Sequence, residues 1–162
     1  MLYRRVIGPT DEPLSIAEVR MHLRNPEITS NDAELLEFIK VAREHVEGKL
    51  QRSLMTQTWE VVLDGFPPYL DRNLNYCAVQ PHIELRYPPL QSVTSITYYD
   101  SDDTQQTLAT SEYVVDTASG LVRLSSTGSW PGSYSRYDAV TGRYVAGWAS
   151  ADEVPSVIKA YM

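Results

Sequence analysis

Thr56-Gln57-Thr58-Trp59-Glu60-Val61-Val62-Leu63-Asp64 is where the chain changes its period. Gln57, Trp59, Val61 and Leu63 alternate with Thr58, Glu60, Val62 and Asp64, the two-residue repeat of a half-buried strand, with its tryptophan expected to face inward. The residues just before repeat differently. From Asp32 to Gln51, Leu35, Ile39, Ala42, Val46 and Leu50 follow at spacings of 4, 3, 4 and 4, the rhythm of an amphipathic helix. Leu36, Phe38 and Val41 widen the apolar arc, so this helix is expected to touch more than one neighbour. Asp32, Glu34 and Glu37 near its start and Lys49 and Arg52 near its end suit the helix dipole. The switch near Ser53 therefore divides the chain into a helical part and a β part.

Working outward, Ser15-Ile16-Ala17-Glu18 is a capping box, with Leu14 and Val19 spaced as a hydrophobic staple. It predicts a first helix of about three turns that ends at Asn25-Pro26, since proline disfavours helical geometry in the residue before it. After the switch, residues 65–82 read as a long loop, and Ile83 to Tyr87 as a strand that Pro88-Pro89 ends. Val93 to Tyr99, the turn Asp100-Ser101-Asp102-Asp103 and Gln105 to Leu108 read as a hairpin. Tyr113 to Asp116 and Leu121 to Leu124 flank Thr117-Ala118-Ser119-Gly120 as another, and Val140 to Trp148 is the last strand. Pro155 then opens a terminal helix of about two turns, with Val157, Ile158 and Tyr161 as its apolar stripe. So short a helix must pack on the first two helices, pack on another chain, or begin something longer. The expected architecture is α+β: a small helical bundle from residues 1–52 and 153–162, with residues 53–152 inserted as an antiparallel β region.

At 162 residues and 43% hydrophobic, the chain suffices for a core without covalent staples. One cysteine, Cys77, excludes a disulfide within the chain and leaves a cysteine-based zinc site without ligands. No stretch approaches the ~18 apolar residues of a membrane span, and the first residues hold no signal-peptide run, so a soluble, cytosolic product of synthesis is expected. The formal charge of −7 argues against a surface built to neutralise nucleic-acid phosphates. It is uneven: residues 1–52 carry 8 basic and 9 acidic side chains (net −1), and residues 53–162 carry 6 and 12 (net −6).

Residues that would carry chemistry do not assemble into a pattern. His22, His45 and His82 lack the i, i+4 spacing of a metal-binding helix. Asp100, Asp102 and Asp103 open like a calcium loop, but Gln105 and Ser111 stand where its glycine and terminal carboxylate belong. Ser126, Ser129 and Ser133 sit on no strand-to-helix elbow, Cys77 has no cationic neighbour, and no Gly-rich loop joins a strand to a helix. Glu60, Glu84 and Asp116 fall on strands, and a hydrolase would need two of them brought close together. The expectation is a non-enzyme with no catalytic, cofactor-binding or metal-binding residues. What stands in excess is tyrosine, 11 against 2 phenylalanines. Tyrosine suits half-buried strands, and also surfaces that are wet in one state and covered in another. Tyr69, Tyr76, Trp130, Tyr134 and Tyr137 lie in loops and are contact candidates.

Several phrases together resemble the head-tail connector proteins of tailed bacteriophages, also called adaptor or head-completion proteins. Pro13-Leu14-Ser15-Ile16-Ala17-Glu18 with His22-Leu23-Arg24, and a second helix ending over Glu47 to Arg52, resemble the family's opening. Thr56-Gln57-Thr58-Trp59, Leu63-Asp64-Gly65-Phe66-Pro67, Pro88-Pro89-Leu90-Gln91-Ser92-Val93 and Tyr113-Val114-Val115-Asp116 resemble its middle. Ser129-Trp130-Pro131, Tyr144-Val145-Ala146-Gly147-Trp148 and Val154-Pro155-Ser156-Val157-Ile158-Lys159 resemble its end. The resemblance implies a ring of about twelve copies beneath the portal, a closed cyclic assembly that extends the DNA channel and docks a stopper or tail. DNA would pass its lumen without sequence-specific binding, no membrane would be involved, and the protein would reside in the virion after assembly in the host cytoplasm. In this family a longer C-terminal helix and tail is associated with portal docking, from which this sequence departs; Val157, Ile158 and Tyr161 on the terminal helix are the candidate portal or subunit contact. The contrasting expectation is a carbohydrate- or protein-binding β module with a helical anchor, its tyrosines forming the platform.

Overall fold

A computed structural model describes residues 1–24, 31–67 and 81–162. Three helices accompany two antiparallel sheets, the α+β class expected. The expected loop candidates Tyr69, Tyr76 and Cys77 lie outside the described residues, as do Asn25 and Pro26.

The chain opens with a strand that sequence reasoning did not find. β1 (Leu2–Ile7) pairs antiparallel with β2 (Gln57–Leu63), so residues 1–52 are not helical throughout. Helix α1 (Ile16–His22) follows, two turns rather than three, with the capping box formed as expected: Glu18 N–H donates to Ser15 Oγ at 3.2 Å and Ser15 N–H to Glu18 Oε2 at 2.7 Å. Helix α2 (Asp32–Leu50) is bound to α1 by the Arg20–Asp32 ion pair. It ends at Gln51, whose φ of 52° is left-handed.

The strands that follow are β3 (His82–Glu84), β4 (Leu90–Tyr99), β5 (Gln105–Thr107), β6 (Tyr113–Asp116), β7 (Leu121–Leu124) and β8 (Val140–Ala146). Of the strand expected over Ile83 to Tyr87 only Ile83 and Glu84 lie in β3, which starts one residue earlier, and Tyr87 turns to a φ of 63°. One sheet has the order β1-β2-β8-β4-β5, the other β3-β7-β6. Their inner faces share one core: Val61, Leu63, Ile96, Val140 and Tyr144 from the first meet Ile83, Tyr113 and Val122 from the second. Two tyrosine hydroxyls tie the sheets together, Tyr3 donating to the Glu84 carbonyl at 2.9 Å and Tyr144 to the Arg86 carbonyl at 3.0 Å. Burial pushes the Tyr3 phenol up to about 12, with Glu84 adding to it, and pushes the Tyr144 phenol up as well, so both stay donors at neutral pH. Trp59 packs against this core but remains half-buried, its ring stacked on Tyr87 at 4.0 Å. Gly147, just past β8, has a φ of 112°, and any Cβ there would overlap the Met55 carbonyl oxygen, so only glycine fits where β8 leaves the start of β2.

Short helix α3 (Ser156–Tyr161) closes the described chain, capped by Pro155 rather than starting with it. Its Lys159 ammonium reaches Glu18 on α1 at 3.8 Å.

Candidate functional site

The helices and the sheets are joined at one buried carboxylate. Glu47 on α2 accepts from the Leu54 backbone N–H at 2.8 Å, from Gln57 Nε2 at 2.5 Å and from Arg43 at 2.9 Å, and Arg43 also donates to Glu12 at 2.8 Å. Burial opposes the Arg43 charge, but Glu12 and Glu47 outweigh it and hold its pKa above the ordinary value. This joint fixes where α2 leaves the β region.

Beyond the joint, the helices keep apolar side chains in water. Ile39 and Val46 turn in, whereas Phe38 is 60% exposed, and Val41, Met21, Leu23 and Leu50 are exposed too. An apolar groove of about 420 Å³ runs between the three helices, lined by Leu14, Val19, Leu35, Ile39, Ala42 and Met162 among others. The stripe expected on α3 divides. Ile158 is half-buried, while Val157 (61% exposed) and Tyr161 (81%) stand one turn apart on the outward face.

The loop aromatics divide likewise. Trp130, grouped with the exposed rings on sequence, is half-buried: it stacks on Phe66 at 5.0 Å, and Phe66 meets Tyr98 edge-on at 5.5 Å. Tyr134 and Tyr137 remain outside, Tyr137 at 96% exposure. Arg136 pins their loop to the β4–β5 hairpin, lying over the Tyr99 ring at 3.9 Å and pairing with Asp138 at 2.6 Å and Asp103 at 2.8 Å. Those hydrogen bonds, Asp138 first, raise the Arg136 pKa, and Arg136 in turn lowers that of Asp138. Hairpin tip and tyrosine loop are thus linked at one corner of the molecule.

The three strand carboxylates are committed to structure. Glu60, 3% exposed, lies in a row Arg4–Glu60–Arg143–Ser95 across β1, β2, β8 and β4. Arg4 binds one of its oxygens at 2.6 Å and Arg143 the other at 2.5 Å. Burial works to raise its pKa, and the hydrogen bonds from Arg143 and then Arg4 overcome this and hold it low. Asp116 accepts from Ser119 Oγ at 2.6 Å in the β6–β7 turn, which lowers it. Glu84 lies 3.6 Å from Arg86. General acids need raised carboxyl pKa values, and Glu60 and Asp116 are shifted the opposite way. Among the described residues no three His, Cys, Asp or Glu side chains group to hold a metal, and no helix is long and apolar enough to cross a membrane.

Neither a protein-family model nor a curated protein matches the chain. Solved structures do match, over its whole length. A chain in the neck of an empty gene transfer agent (GTA) particle, computed with C6 symmetry, superposes with a TM-score of 0.74 at 21% identity, covering 99% of this chain and 80% of that one. The chain shares the fold of a GTA neck component. Matches to the neck of the native particle computed with C12 symmetry and to the native GTA virion have TM-scores of 0.71 at 19% identity, with 99% of this chain covered and 79% and 80% of those. The neck fold so identified is the one that the resemblance to head-tail connectors implied.

Sequence reasoning missed the row through Glu60. The signal available was Arg4-Arg5 at the head of the chain, two cations with no helical acid partner in their own segment.

Proposed function

We propose that this protein is a structural neck subunit of a tailed phage or phage-like particle, forming a ring of about twelve copies under the portal and docking the stopper or tail. The observation that carries the reading is the superposition of 99% of the chain on a component of a neck that has C6 or C12 symmetry. A ring needs two unlike faces on each copy. The open helical face with Phe38, Val157 and Tyr161, and the corner holding Tyr134 and Tyr137, supply unlike surfaces on opposite parts of the chain. Val157 and Tyr161 are assigned to the portal or subunit contact, with Ile158 supporting them from the inward side; Tyr134, Tyr137, Tyr69 and Tyr76 are assigned to subunit or tail contacts. The helical bundle and the β region act as two units joined at Glu47. Assembly takes place in the host cytoplasm and the product resides at the head-tail joint. No catalysis enters this role. The net charge of −7 per copy gives the ring a negative wall, along which DNA slides rather than sticks.

Deleting the gene in the producing phage or prophage and imaging particles by electron microscopy tests the reading. Filled or leaking heads without tails, beside free tails, are the expected result. Normal infectious tailed particles would sink it and bring forward the glycan- or protein-binding module.

A further inference from the structure

A second cleft, of about 420 Å³, is lined by no helical residue and lies where the chain leaving β2 meets the loop from β7 to β8. Phe66 and Pro67 line it from the first segment, and Ser129, Trp130, Pro131 and Ser133 from the second. No lining residue is charged, in a chain of which 22% is. Its walls are tied down. Ser129 N–H donates to Glu112 Oε2 at 3.1 Å and Ser125 N–H to the Glu112 carbonyl at 2.9 Å, and a Cβ on Gly128 would overlap that same carbonyl oxygen. Phe66 in turn touches both the Trp130 and the Tyr98 rings. Two polar groups here lack partners: the Trp130 indole N–H and the Ser125 hydroxyl are buried and unpaired among the described residues. Ser125 Oγ lies beside Gly128, 2.8 Å from where a Cβ on that glycine would stand. The Trp59 indole, by contrast, donates to Ser53 Oγ at 2.9 Å.

A buried donor left unpaired costs free energy, so a native structure that keeps one calls for an acceptor. The lining says what carries that acceptor. A cleft with no charged side chain has no counter-ion for a phosphate, a carboxylate or an ammonium group, and an ion seated there would be desolvated without compensation. A saccharide hydroxyl is donor and acceptor at once, and no carboxylate or amide side chain stands here to answer it. A proline-rich segment presents the matching set: carbonyl acceptors, no N–H at its prolines, and compact apolar rings that lie on aromatic ones. Its extended backbone is also stiff before it binds, so little order is lost on binding. We propose that this cleft takes an uncharged proline-rich segment of another protein, its rings on Phe66 and Trp130 and one of its carbonyls accepting from the Trp130 N–H, which a turn of the indole brings into the cleft. The inference does not depend on the ring reading above.

The test titrates the full-length chain with decaproline by calorimetry, and with maltohexaose as the uncharged saccharide. Saturable binding of decaproline is expected, and its absence overturns the proposal. Trp130→Phe keeps a ring against Phe66 and deletes the N–H, so it should weaken decaproline roughly tenfold, the change expected for one hydrogen bond. Equal binding by the native chain and Trp130→Phe overturns the proposal, and so does binding of maltohexaose without decaproline. The indole N–H signals of the three tryptophans give a second readout by nuclear magnetic resonance, with Trp130 identified by its loss in Trp130→Phe. Decaproline should move that signal downfield as the hydrogen bond forms, and an unmoved signal under saturation overturns the role given to the N–H. Should Trp130→Phe fail to fold, Ser129→Arg decides, since Ser129 is exposed and its replacement obstructs the cleft. It should lower decaproline affinity at least roughly tenfold, and native affinity overturns the proposal.

Discussion

The β region and the helices of this molecule bury their residues to different degrees. The paired sheets hold a dry core in which Val61, Val122, Val140 and Tyr144 are wholly inaccessible. The helices bury Ile39 and Val46 together with the charged Arg43 and Glu47, and leave Phe38, Val41, Val157 and Tyr161 in water. Packing within one copy covers the facing sides of the two sheets, whereas these helical apolar side chains stay exposed in it.

The largest effect that would break this contrast lies in the sheets. Tyr144→Ala removes a fully buried ring and its hydroxyl bond to Arg86, and should cost about 4 kcal/mol in urea unfolding; a cost below that of an exposed-site change would contradict the dry core. Next comes the joint, where Glu47→Ala strands Leu54 N–H and Gln57 and takes one of two hydrogen-bond partners from Arg43, for about 3 kcal/mol by the same measurement. The acid limb should follow Glu60. Its carboxyl is held low in the fold, so its contribution is present above the ordinary carboxyl pKa and fades as pH falls through that value toward its folded one. Glu60→Gln should therefore flatten the dependence of stability on acid pH, and an unchanged slope would detach the row from stability. Ser15→Ala opens the capping box and should cost about 1 kcal/mol. Smallest for the monomer is the double change Val157→Asp and Tyr161→Asp, within about 0.5 kcal/mol because both side chains are already exposed. The same variant should fail to enter particles, and its normal incorporation would show that this face is not a contact.

Elements with strong local signals were legible in the sequence. The capping box, the Asp32–Leu50 helix and the alternations at Gln57–Leu63 and Val140–Ala146 each follow from spacing alone. β1 was not, because an exposed edge strand of sequence LYRRVI has no buried face to impose alternation. Glu60 reads as an outward polar residue of β2, and only the register with β1 and β8 shows that two arginines cover it. The division of Trp130 from Tyr134 and Tyr137, and of Ile158 from Val157 and Tyr161, depends on tertiary neighbours that composition does not encode. Which strands form which sheet was invisible for the same reason.

One consequence of the strand order concerns time. β8, the last strand made, is the central one, bridging β2 and β4. Until residues 140–146 leave the ribosome, the β1–β2 pair and the β4–β5 pair have nothing to hold them in one sheet, and non-local pairing of this kind is slow to form. A chain interrupted before that strand has no continuous sheet between β1 and β5. Only a chain that has made β8 can join the β1–β2 pair to the β4–β5 pair in one sheet.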